Sequence, residues 1–150
     1  MIDFGELQGY FTTSNFNENG QNEPHLAGFV PLNKLLCVKE SIVKNFKLKA
    51  EQIKELAKGY GGCIATDMIT VEGKPVGYMY RDEPCNPQDS GWCFMSGFES
   101  QEYMDEPSNH AIYDVNTIAN YDSEIIPFLN FPVGSAFERN QSGVLVEINE

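Results

Sequence analysis

The sequence predicts an α+β protein: helices first, then a mainly antiparallel, twisted sheet with short helical insertions. Three observations carry this. Leu35, Val38, Ile42 and Phe46 recur at spacings of three and four, interspersed with Lys34, Lys39, Lys44 and Lys47, which is the pattern of an amphipathic helix. After Gly61-Gly62 the texture changes, and Val76, Tyr78 and Tyr80 alternate with Gly77, Met79 and Arg81, the period of a strand. Near the C-terminus, residues 135–139 and 144–148 flank Asn140-Gln141-Ser142-Gly143, which reads as the bend of a hairpin. Helices followed by strands is the α+β order.

Taken along the chain, Phe4, Leu7, Tyr10 and Phe11 are candidates for a short strand or a core cover, and residues 14–24 read as a polar loop. The first helix starts at Leu32. A second is expected over residues 50–58, burying Ile53, Leu56 and Ala57 and ending at Gly59, with Lys58 in its last turn. Cys63-Ile64-Ala65-Thr66 reads as a buried strand and residues 72–75 as a turn. The stretch 82–90, with two prolines, reads as a loop, and 92–95 as a strand ending at Gly97. Ser100 is placed to cap a helical turn at Tyr103. Residues 111–113 suggest a strand. Asn116 and Ser123 are candidate caps of two short helices, the second reaching Leu129 and carrying Pro127 at a tolerated early position. In the hairpin, Val144, Val146 and Ile148 share one face. The natural division is a helical extension, 1–60, and an α+β domain, 61–150; the alternative is a single domain.

Charge sharpens that division. Residues 1–60 hold seven Lys and seven acids, whereas 61–150 hold Lys74, Arg81 and Arg139 against fifteen acids, so the net charge of −12 lies in the second part. No Lys or Arg occurs in residues 82–138, which carry eleven acids. A one-sign field of this length argues against nucleic acid or an anionic membrane as partner, and permits a cationic protein. Two adjacent helices invite a DNA-binding reading, which the acidity and the lack of a basic recognition helix oppose. The four cysteines form no C-x-x-C pair and no secretory leader is evident, so reduced thiols in a cytoplasmic protein are expected. No apolar run reaches the roughly 20 residues of a membrane span.

Two acidic segments are candidate partner-binding sites. One contains Asp82, Glu83 and Asp89 in a proline-stiffened loop, a negative knob for a basic surface or simply a solvated loop. The other contains Glu99, Glu102, Tyr103, Met104, Asp105 and Glu106, in which an aromatic and a flexible thioether sit among acids. That mixture suits an interface centre with a charged rim, and equally a core-facing turn with wet acids. Asp114 with Asp122, or Glu99 with Asp105, are conceivable acid–base pairs, but nothing sets their separation. Cys85 and Cys93 lack a neighbouring His, Ser135 is in no nucleophile elbow, and no phosphate loop or calcium loop is present. No catalytic residue, cofactor or metal is therefore expected. Trp92 reads as a core anchor, and Arg81 and Arg139 as partners of local acids such as Glu83 or Glu138, or as clamps across the sheet.

Residues 62–148 resemble a bacterial family. The likeness is carried in order by Gly77-Tyr78-Met79-Tyr80-Arg81-Asp82-Glu83-Pro84, Asp89-Ser90-Gly91-Trp92, Gly97-Phe98-Glu99 and Glu102-Tyr103-Met104-Asp105. It continues in Tyr113-Asp114-Val115-Asn116-Thr117-Ile118 and Pro132-Val133-Gly134-Ser135-Ala136-Phe137-Glu138-Arg139. This is similar to the immunity protein thirty-three family of polymorphic toxin systems. The resemblance implies a small cytoplasmic protein that neutralises a toxin by binding it; joined to the one-sign acidic stretch, it leads to the expectation of a non-enzymatic protein that binds a basic toxin domain stoichiometrically. A housekeeping ligand- or protein-binding module is the alternative, and an enzyme of unknown chemistry a third reading.

Overall fold

The computed structural model describes residues 43–149. The chain divides into two units, Met1–Lys44 and Asn45–Glu150. The second contains strands β1 (Gly62–Thr66), β2 (Tyr78–Arg81), β3 (Asp89–Met95), β4 (His110–Asp114), β5 (Ala136–Arg139) and β6 (Leu145–Ile148). Its helices are α1 (Asp67–Thr70), α2 (Gln101–Met104) and α3 (Val115–Tyr121), with 3-10 turns at Ala50–Gln52, Pro107–Asn109 and Ser123–Phe128. The expectations for residues 1–42 (the strand or cover near Phe4, the loop 14–24, most of the first helix and Cys37) lie outside the described residues.

The strands form one mixed sheet in the order β4-β1-β3-β2-β5-β6. Only β1 with β3 is parallel among its pairings; the others are antiparallel, as the sequence leads one to expect. The parallel pair arises because the chain leaves β1 through α1, forms β2, and returns as β3 between the two. Register then sorts side chains by face. Cys63, Ala65, Met79, Trp92, Phe94, Phe137 and Leu145 share a face and pack with Val115, Ile118, Ala119, Ile125 and Leu129 in one buried cluster. The other face carries a row in register across all six strands: Ile112, Ile64, Cys93, Tyr80, Ala136 and Ile148. Trp92 is 1% exposed, stacks on Phe94 with ring centroids 6.0 Å apart, and donates from Nε1 to the Leu129 carbonyl at 3.2 Å. It is the anchor its sequence position suggests. Full burial of each large core side chain contributes roughly 1.5–3 kcal/mol.

The expected N-terminal helices are not found among the described residues. Residues 43–47 are not helical, and of 50–58 only Ala50–Gln52 makes a 3-10 turn. Tertiary hydrogen bonds explain the second case. Asn116 Oδ1 accepts from the backbone N–H of Leu56 at 2.7 Å and Ala57 at 2.8 Å, and Asn120 Oδ1 accepts from Lys54 at 2.9 Å. Both amide groups donate back to the Lys54 carbonyl at 2.8 Å. Two asparagines on one face of α3 thus take the backbone groups a local helix would pair, and isolated propensity loses to them. Leu56 stays exposed while Ala57 is buried.

Smaller corrections follow the same logic. The cap of α3 is Asp114, whose side chain accepts from Asn116 N, so the helix starts before Asn116. Asp122, not Ser123, caps Ser123–Phe128, which is 3-10 rather than α-helical and accommodates Pro127. Asp89 and Ser90 belong to β3, not to the preceding loop. Ser100 does cap Tyr103, accepting at 3.2 Å. In the hairpin, the face of Val144 and Val146 is the exposed one, and Leu145 enters the core because its partner Arg139 shares the face of Phe137.

Candidate functional site

The two acidic segments do not form one surface. The loop 82–88 joins the end of β2 to the start of β3, whereas residues 96–109 follow the end of β3. β3 has seven residues, so at about 3.3 Å per residue the segments are roughly 20 Å apart.

At the first end, the aspartates build their own loop. Asp82 Oδ1 accepts from Glu83 N at 2.8 Å; Asp89 accepts from Cys85 N at 2.8 Å and Gly91 N at 2.9 Å. Gly91 lets two backbones meet: its φ is +77°, and a Cβ there would lie 2.0 Å from the Asp82 carbonyl oxygen. Glu83 is exposed. Among the described residues Arg81 pairs with no carboxylate; it donates to the carbonyls of Ser90 at 3.0 Å and Phe131 at 2.6 Å and lies over the Trp92 ring. It is a clamp across the sheet, as one of the sequence readings has it.

At the second end, Glu99 is 8% exposed. Its carboxylate accepts from Thr66 Oγ1 at 2.5 Å, Ser96 N at 2.8 Å and Gly97 N at 2.9 Å. Burial of a carboxylate is offset only by such charge-assisted bonds, and these hold the loop 96–99 in a single shape. Met104 is also buried, and Tyr103 is half-buried, with its phenol pushed up to about 12 chiefly by burial. Glu102, Asp105 and Glu106 are exposed. Glu106 accepts from the Ser108 backbone and hydroxyl, which lowers its carboxyl below the ordinary glutamate value.

The suggested acid–base pairs do not converge. Asp114 and Asp122 cap opposite ends of the seven-residue α3, on the order of 10 Å apart at 1.5 Å per residue. Asp122 is committed to structure: it accepts from Val76 N at 2.9 Å and pairs with Arg139 at 2.7 Å. Arg139 also pairs with Glu124 and donates to the carbonyls of Val76 and Gly143. Glu99 is enclosed as described, while Asp105 accepts from Gln101 in the open. Burial raises the Cys63 thiol and pushes Cys93 up to about 12, so both are protonated near neutrality. Among the described residues, no group of three or more His, Cys, Asp and Glu stands close enough to hold a metal ion, and no helix is long and apolar enough to cross a membrane.

A family model described as the immunity protein Imm33 domain matches residues 63–149, more than half of the chain. The chain belongs to the Imm33 family. The match confirms the resemblance carried by the motifs between Gly77 and Arg139, and it implies an immunity-type role with a toxin as partner. Proteins of this class are generally non-enzymatic. No curated protein and no solved structure matches the chain.

Within the Imm33 domain, sequence reasoning passed over three residues at the second acidic end. Phe98 is 72% exposed, the Lys74 ammonium lies 5.2 Å from its ring centroid, and Lys74 pairs with Glu72 at 3.1 Å. The Gly97-Phe98-Glu99 motif was visible in the chain. Which side of it faces water was not, because that depends on Glu99 being drawn inward to Thr66.

Proposed function

We propose that this Imm33 protein acts in the cytoplasm and neutralises the toxin of a polymorphic toxin system by stoichiometric binding, its acidic surface meeting a basic toxin domain. The carrying observation is the family match over residues 63–149. The charge distribution supports a basic partner, since no Lys or Arg occurs between Arg81 and Arg139. The contact surface uses the exposed acids Glu102, Asp105 and Glu106, with Tyr103 at its margin, and the exposed Glu83 adds to the field from the other end of β3. Asp82, Asp89 and Glu99 add to the field while shaping loops, and Met104 is buried and contributes to the fold of α2. Exposed charge of one sign acts mainly on the association rate, and its effect fades with salt.

The test is stopped-flow association with the inactivated toxin domain of the cognate polymorphic toxin, over a roughly tenfold range of ionic strength. The expected result is a steep fall in association rate with salt, and a drop of about tenfold at low salt for the double reversal Glu102→Lys with Asp105→Lys. An association rate indifferent to both salt and charge reversal would remove the steering claim. Absence of any complex would remove the function.

A further inference from the structure

We propose that Phe98 is the apolar anchor of the toxin-binding surface, and that this surface lies at the end of the sheet where β3 runs into α2, not at the 82–89 loop. The inference rests on the toxin-binding reading above. Single exposed apolar residues are ordinary, so the case depends on what surrounds this one.

The loop bearing Phe98 is held rigid in the free protein. Glu99 takes three hydrogen bonds from Thr66, Ser96 and Gly97, and Phe98 N donates to Ser96 Oγ at 3.2 Å. The loop is seated against backbone: a Cβ at Gly77 would lie 2.0 Å from the Ser96 carbonyl oxygen. A ring presented from such a loop loses little freedom on binding, which is the condition under which an aromatic becomes a dominant contact. Nothing in this arrangement serves the core, since the ring is 72% exposed.

The surroundings specify the occupant. One cation, Lys74, lies over the ring and is tied to Glu72. Glu72, Glu102, Asp105 and Glu106 are exposed nearby in the chain or at the same end of the sheet. An apolar ring within an acidic rim complements a net-positive protein surface offering a shallow apolar pocket, with its Arg or Lys side chains meeting the rim. The 82–89 loop offers no aromatic counterpart: the Asp82 and Asp89 carboxylates accept from loop N–H groups, and among its residues there is no exposed large apolar side chain, the exposed apolar residue near that end being the smaller Val133.

Two variants separate the roles, read by association and dissociation kinetics with the same inactivated toxin domain. Phe98→Ala is expected to weaken binding at least about 30-fold, mostly through faster dissociation, with the melting temperature and the salt dependence of association unchanged. Glu102→Lys with Asp105→Lys is expected to slow association and leave dissociation nearly as in the wild type. Binding by Phe98→Ala within about twofold of the wild type overturns this inference and leaves the toxin-binding function standing. Failure of the wild-type protein to bind overturns both.

Discussion

Replacing Glu99 by alanine tests whether this carboxylate is a structural group. In the native protein it accepts from Thr66 Oγ1, Ser96 N and Gly97 N, all within 2.9 Å. The desolvation of the carboxylate and the strength of its three bonds disappear together on substitution and largely cancel. What remains is the cost of orphaned donors. Ser96 N is buried and loses its acceptor entirely, which costs about 1–3 kcal/mol. Gly97 is exposed, so its N–H regains water in part, whereas the Thr66 hydroxyl is buried and loses the acceptor it has in Glu99. The expected destabilisation is about 2–3 kcal/mol for Glu99→Ala. For Glu99→Gln it is about 1 kcal/mol, because one amide oxygen still serves Thr66 and Ser96 while the NH2 opposes Gly97 N. Urea unfolding followed by tryptophan emission reads this directly, since Trp92 is the sole tryptophan and is buried. The slope against urea should not change. Glu99→Ala unfolding within about 0.5 kcal/mol of the wild type would refute the reasoning, and would return Glu99 to the pool of surface acids.

Two further outcomes are expected. Asn116→Ala strips the acceptor from Leu56 N and Ala57 N and a donor from the Lys54 carbonyl; it should destabilise by about 2 kcal/mol and remove hydrogen-exchange protection from those two amides first, and protection that persists would show that the clamp is incidental. The buried thiols predict alkaline sensitivity. Cys63 and Cys93 hold their protons more tightly folded than unfolded, so their stabilisation is complete below the ordinary thiol value of 9.0 and is lost as pH climbs toward about 12, the folded value of Cys93. The urea midpoint should fall from about pH 8 to about pH 10, and fall less in Cys63→Ala with Cys93→Ala; equal slopes for the two proteins would sink the attribution.

Much of the domain could be read from neighbouring residues alone. Strand periodicity located β1, β2 and β4 to within a residue or two, Asn140-Gln141-Ser142-Gly143 located the hairpin, and Ser100 announced its cap. Those features depend on side-chain alternation and on hydrogen bonds a few residues long. The helix expected over 50–58 did not form, because its competitors Asn116 and Asn120 lie about sixty residues away in the chain. The two acidic segments were likewise legible as charge and illegible as surface: the sequence does not set their separation, while β3 places them at opposite ends.

By itself, the sequence determined the family, the sign of the field and the alternation that makes a sheet, since each is a property of residue types in order. The tertiary structure decided which acids face water. Glu99 turns inward because Thr66 and two loop N–H groups supply the donors that offset its desolvation, and this leaves Phe98 outside. Arg139 and Asp122 neutralise one another across seventeen residues for the same reason: a buried charge requires a partner, and only the fold brings that partner within reach.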